Sequence, residues 1–97
     1  MSDRKITPLN IAQHELIGLE VEVIESSHPN LIGVKGKVID ETKNLLILEL
    51  KNGRRVKVPK SICVFRFFIS EKHRIVVKGE EIAKSPDERL KKCVKRW

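Results

Sequence analysis

The sequence predicts a mainly β fold, a small antiparallel β-barrel of about six strands with a short N-terminal helix and a C-terminal helix. Three features carry that expectation. Apolar residues recur with a period of two in several short stretches, polar clusters suited to turns separate those stretches, and helix-start signals occur only near the two ends. A chain of 97 residues supports one compact core and not two, so a single domain over 1–97 is expected, with residues 1–6 as a flexible tail.

Thr7 before Pro8 reads as a helix N-cap and first helical residue, because proline lacks only an N–H that would be unsatisfied there. Leu9, Ala12 and Leu16 then share one face, and Gly18 ends the helix. From Leu19 the period becomes two. Val21 and Val23 alternate with Glu20 and Glu22 in a first strand, and Ser26 to Asn30 is a loop. Val34, Gly36 and Val38 mark a second strand, in which Gly36 permits a bend or a close backbone approach. After the polar run Asp40 to Asn44, Leu46, Leu48 and Leu50 form a third strand, and Lys51-Asn52-Gly53 is a hairpin signal.

The fourth strand alternates Arg55 and Lys57 with Val56 and Val58 and stops at Pro59. Ile62 to Ile69 is a longer strand carrying three phenylalanines, with Phe68 on the face opposite Phe65 and Phe67, and Ile75 and Val77 form a last strand before Gly79. Ser85-Pro86-Asp87-Glu88 is a capping box, so a helix is expected toward Trp97. Its apolar stripe is Leu90, Cys93, Val94 and Trp97.

The net charge of +7 is unevenly distributed along the chain. Acids outnumber bases up to Leu50, and bases dominate after it. A basic surface is the footprint of a polyanion binder, and such cations suit phosphate contacts that position RNA without reading its sequence. The candidate RNA-binding residues are Lys35 and Lys37, then Arg54, Arg55, Lys57, Lys60, Arg66, Arg74 and Lys78 on strands or hairpin ends, and Arg89, Lys91, Lys92, Lys95 and Arg96 on the last helix. Two rival classes remain open, a ribosome- or translation-associated RNA-binding barrel and a protein–protein adaptor that touches no RNA.

Catalysis by the chain itself is not expected. Metal-assisted hydrolysis needs converging carboxylates, and the adjacent pair Asp40-Glu41 sits at a strand end, where neighbours point apart. In the turn, Asp40, Thr42 and Asn44 are suited to capping local backbone groups. His14, His28 and His73 fall in different elements, and Cys63 and Cys93 lack a metal-ligand spacing and read as buried thiols of a reducing compartment. No apolar run approaches membrane-spanning length and the first residues lack a signal peptide's apolar segment, so a soluble cytoplasmic protein is expected.

Particular runs of residues carry a resemblance. They are His14-Glu15-Leu16-Ile17-Gly18-Leu19 followed by Val21-Glu22-Val23, the block from Gly33 to Asn44, Val58-Pro59-Lys60, the phenylalanine-rich strand, Gly79, and Ser85-Pro86-Asp87-Glu88-Arg89. Together they resemble the protein component 1 family of archaeal ribonuclease P, the Sm-like subunit shared with the eukaryotic enzyme. Ser85 stands where that family's pattern suggests arginine, and serine is the better cap.

The resemblance implies an Sm-like barrel within a ribonucleoprotein that removes the 5′ leader of precursor tRNA. It places the catalytic centre in ribonuclease P RNA and its magnesium ions, with no cofactor in this chain. The implied partners are that RNA, precursor tRNA through the holoenzyme, a zinc-ribbon protein subunit and the other protein subunits. Docking of the zinc-ribbon subunit would involve Leu9, Ala12, Leu16 and Ile17 on the N-terminal helix and the nearby barrel surface.

Overall fold

The computed structural model describes Ile11 and residues 15–85, and within them the chain forms one six-stranded antiparallel sheet. The strands are β1 (Glu20–Ser26), β2 (Lys35–Glu41), β3 (Leu45–Glu49), β4 (Arg55–Pro59), β5 (Cys63–Phe68) and β6 (Arg74–Lys78). Their spatial order is β4-β3-β2-β1-β5-β6. Short 3-10 turns at Pro29–Leu31 and Gly79–Ile82 complete the described elements. The N-terminal tail, most of the expected first helix and the C-terminal helix after Ser85 lie outside the described residues, and no α-helix occurs among the described ones.

Each strand turns alternate residues inward. Val21 and Val23, Val38, Leu46 and Leu48, Val58, Phe65 and Phe67, and Ile75 and Val77 meet in one core with Ile11, Leu16, Cys63 and Ile82. All six strands feed the same apolar interior, so the sheet must curl around it. The curl is not completed by hydrogen bonding. β4 and β6 are both edges, so the expected barrel, closed or nearly closed, is an unclosed six-stranded sheet.

Turn segments bridge the seam instead. Gly79, at the end of β6, lies so close to the Lys60 carbonyl beyond β4 that any side chain there would collide with it. Gly36 serves the close approach its position suggests, since a Cβ there would sit 2.6 Å from the Glu49 carbonyl oxygen on β3. The hairpin after β3 also accords with its sequence. Gly53 takes φ 89°, a conformation that favours glycine, while Leu50 N–H donates to the Arg54 carbonyl at 2.8 Å and Arg54 N–H to Asn52 Oδ1 at 3.0 Å.

Two bulges break the simple alternation, between Val23 and Glu25 on β1 and between Val38 and Asp40 on β2. The second has a direct consequence. An extra residue in β2 reverses the facing of the residues after it, so Asp40 is exposed and Glu41 is buried. The Glu41 carboxylate then meets Lys60, whose Nζ donates to Glu41 Oε2 at 2.7 Å, to the Thr42 carbonyl at 2.7 Å and to the Lys84 carbonyl at 3.2 Å. Lys60 is thus a clasp of three segments, joining the end of β2, the end of β4 and the chain beyond β6. The turn between β2 and β3 is capped from within: Asp40 Oδ1 accepts from Glu41 N–H at 2.8 Å and Thr42 Oγ1 from Leu45 N–H at 3.1 Å. Asn44 contributes its backbone carbonyl, which accepts from Lys60 N–H at 2.7 Å.

Candidate nucleic-acid interface

The outward face of the sheet carries the charges. Strand register aligns Arg55 with Glu49, Glu49 with Lys37, Lys37 with Glu20, Glu20 with Phe68, and Phe68 with Arg74. One row therefore crosses all six strands. A second row runs Lys35, Glu22, Arg66 and Val76 across β2, β1, β5 and β6. The acidic first half of the chain does not form a separate acidic surface, because β1 is inserted between β2 and β5. Its glutamates stand among the lysines and arginines of their neighbours.

The predicted cations divide into distinct groups. Arg54, Arg55 and Lys57 are exposed at the β4 end of the sheet. Toward the sheet's other side Lys35 and Arg74 lie over the Phe68 ring, with Lys35 Nζ 4.6 Å and Arg74 Cζ 5.3 Å from the centroid, and Lys37 stands beyond Glu20 in the same row. Five strand spacings separate Arg55 from Arg74 along the row, roughly 24 Å. Arg66 is held to Glu22 by a 3.2 Å ion pair, with side chains 40% and 28% exposed. Lys78 lines a separate groove of about 660 Å³ with Ser26, Ile32, Ile62 and Glu80. Arg89, Lys91, Lys92, Lys95 and Arg96 lie outside the described residues.

Two sequence expectations are corrected by burial. Lys60 is 0% exposed. Its ammonium is consumed by the clasp and has no path to a phosphate. Leu16 is also 0% exposed and belongs to the core. It supports the sheet from within and does not offer a docking surface; Ile17, 43% exposed, points outward, while Leu9 and Ala12 lie outside the described residues.

Lys51 is not among the contacts that the sequence predicts, yet it lines a groove of about 350 Å³ with Lys35, Lys37, Glu20 and Glu49. Its hairpin position marks it as a turn residue, and the pairing of β3 with β2, which sets Glu49 opposite Lys37, brings it beside β2. The outward position of Phe68 is readable from alternation. Its cationic neighbours are not, since they depend on which strands flank β5. Among the described residues no three His, Cys, Asp or Glu side chains gather as a metal-holding group, and no helix is long and apolar enough to cross a membrane.

Comparison with known proteins decides the family. The family model for ribonuclease P/MRP, subunit p29, matches residues 9–92. The chain belongs to the ribonuclease P/MRP subunit p29 family. Ribonuclease P protein component 1 of Methanocaldococcus jannaschii is 49% identical over 90 residues, covering 93% of this chain and 94% of that protein. The Pyrococcus horikoshii protein of the same name is 44% identical over 94 residues, covering 96% of this chain and 72% of the relative. Among solved structures, Mth11, described as a homologue of human RNase P protein Rpp29, superposes with a TM-score of 0.59 at 41% identity, covering 78% of this chain and 97% of that one. For a p29-family chain, the outward cations are then to be read against an RNA.

Proposed function

We propose that the chain is a single Sm-like RNA-binding domain that serves as a protein subunit of ribonuclease P and supports the catalytic RNA as it removes the 5′ leader from precursor tRNA. The observation that carries this reading is the match to the ribonuclease P/MRP subunit p29 family across residues 9–92, and the cations on the outward face agree with it. Lysines and arginines at the surface neutralise phosphates and release their counterions, which gives sequence-independent affinity. In this reading the bond-breaking chemistry belongs to the RNA and its magnesium ions, and the protein holds no cofactor.

The contact set is Lys35, Lys37, Arg54, Arg55, Lys57, Arg74 and Lys78, joined by Lys51. Arg66 contributes through its exposed edge, and the basic residues from Arg89 to Arg96 add a second surface. A zinc-ribbon subunit docks near the N-terminal segment at Leu9, Ala12 and Ile17, and the assembly works in the cytoplasm with the other protein subunits. The test is the RNA that copurifies with the tagged protein from its native cell. Ribonuclease P RNA is expected to be enriched over ribosomal RNA. Enrichment of ribosomal RNA alone would replace this reading with that of a ribosome-associated barrel, and recovery of protein subunits without RNA would replace it with an adaptor.

A further inference from the structure

The three phenylalanines of β5 are used differently. Phe65 and Phe67 are 0% exposed in the core, whereas Phe68 is half-buried on the outward face. Lys35 reaches its ring from β2 and Arg74 from β6, so two cations from strands on either side of the β1–β5 pair lie over the same ring. Both lie near the ring centroid, which places their charges within about 10 Å of each other, the reach of unscreened repulsion at moderate salt. Among the described residues neither cation is in an ion pair; the nearby Glu22 carboxylate is taken by Arg66. The row places Glu20 as the acid opposite Phe68, and the Lys35, Lys37 and Lys51 groove begins beside it.

We propose that Phe68, with Lys35 and Arg74, forms a subsite for an unpaired RNA nucleotide, the ring taking the base and the two cations taking its flanking phosphates. An anion beside Lys35 or Arg74 offsets their repulsion, and a cation that swings from the ring onto a phosphate vacates a π-face that any base can cover. Duplex RNA hides its base faces in the stack and offers only phosphates and groove edges. The groove along Lys35, Lys37 and Lys51 continues the phosphate path away from the ring. This inference deepens the RNA-binding reading, and it assigns that face of the sheet to single-stranded RNA.

The experiment places a tryptophan probe at the ring. In the full chain carrying Trp97→Phe and Phe68→Trp, the only tryptophan reports on this site. The ligands are a mixed-sequence single-stranded RNA of about ten nucleotides, the same strand in a duplex, and inorganic polyphosphate, which has charge but no bases. The single strand is expected to quench the emission by stacking, with little quenching by the duplex or polyphosphate when bound to saturation. Phe68→Leu is expected to weaken single-strand binding roughly 5- to 100-fold while duplex binding changes little, and Phe68→Trp to retain it. Equal quenching by polyphosphate, or bound single-stranded RNA with unchanged emission, overturns the subsite. A spectral response only to another protein subunit also overturns it and assigns the face to protein. Quenching is read on the Trp97→Phe, Phe68→Trp chain, with its fold checked by circular dichroism, so that result stands even where Phe68→Leu lowers stability. The oligonucleotide result is independent of which cellular RNA copurifies, so failure of the subsite is distinguishable from failure of the ribonuclease P reading.

Discussion

Lys60→Met is expected to destabilise the protein by about 3–5 kcal/mol, because breaking a buried pair leaves an uncompensated charge. Three acceptors lose their donor at once, the Glu41 carboxylate and the Thr42 and Lys84 carbonyls. Both side chains of the ion pair are almost fully removed from water, at 0% and 1% exposed. Water therefore cannot replace the lost ammonium unless this end of the sheet opens. In a domain of this size the loss corresponds to a fall in Tm on the order of 15–30 °C, measurable by circular dichroism. The double change Glu41→Leu with Lys60→Met is expected to recover a large part of the loss, since an apolar pair leaves no buried charge. A Tm for Lys60→Met within about 2 °C of the parent's, well inside the range of ordinary surface substitutions, would show that the clasp contributes little.

Replacing Arg54, Arg55 and Lys57 together with alanine is expected to weaken binding to ribonuclease P RNA on the order of a hundredfold at 0.15 M salt, if each contacts one phosphate. The salt dependence should become shallower by roughly 0.7 to 0.9 in logarithmic slope for each contact removed. All three side chains are exposed and outside the core, so stability should change by no more than about 0.5 kcal/mol for each. The parallel triple of Lys35, Lys37 and Lys51 separates the two sides of the sheet. A shallower slope in the second set alone would move the RNA path to the Phe68 side. An unchanged slope in both, with both proteins folded, would mean that the sheet's cations serve solubility. It would also leave the Arg55 and Lys57 charges as guards against pairing at the β4 edge.

The strands are legible in the sequence because each half-buried strand writes its two faces into alternate residues. Leu46 and Leu48, Val56 and Val58, and Ile75 and Val77 show this without help from long-range contacts, and Gly53 and Pro59 mark where the chain turns or stops. The bulges are not legible. At Val38-Ile39-Asp40-Glu41 two apolar residues are followed by two acidic ones, so alternation is lost where facing reverses and nothing local indicates that Glu41, and not Asp40, turns inward. The misreading of Lys60 stems from that hidden step: a lysine after a strand reads as surface until its buried carboxylate is known. Leu16 reads as part of a docking face for a similar reason, since apolar periodicity identifies a residue that wants burial and does not say whether its own core or a partner supplies it.

The candidate interface is legible in its chemistry and less so in its arrangement. Charge counted along the chain suggests an acidic half and a basic half. Pairing of β1 with both β2 and β5 interleaves them, setting Glu20 beside Lys37 and Phe68, and Glu22 beside Lys35 and Arg66. Whether the barrel closes is also not legible in the sequence, since short alternating strands are common to closed and open sheets. The observed seam depends on Gly79 meeting the Lys60 backbone, a contact between residues far apart in sequence.

The most direct test of the central claim is reconstitution with precursor tRNA as substrate. Ribonuclease P RNA is assembled with its full set of protein subunits, with or without this chain, and cleavage at the 5′ leader is measured across magnesium concentrations. Including the chain is expected to raise cleavage at modest magnesium and to lower the magnesium requirement, because fixed cations replace part of the ions' work against phosphate repulsion. The chain incubated alone with precursor tRNA and magnesium is expected to cleave nothing. Equal cleavage and equal magnesium dependence with and without the chain, together with no detectable binding to the RNA, would contradict the account.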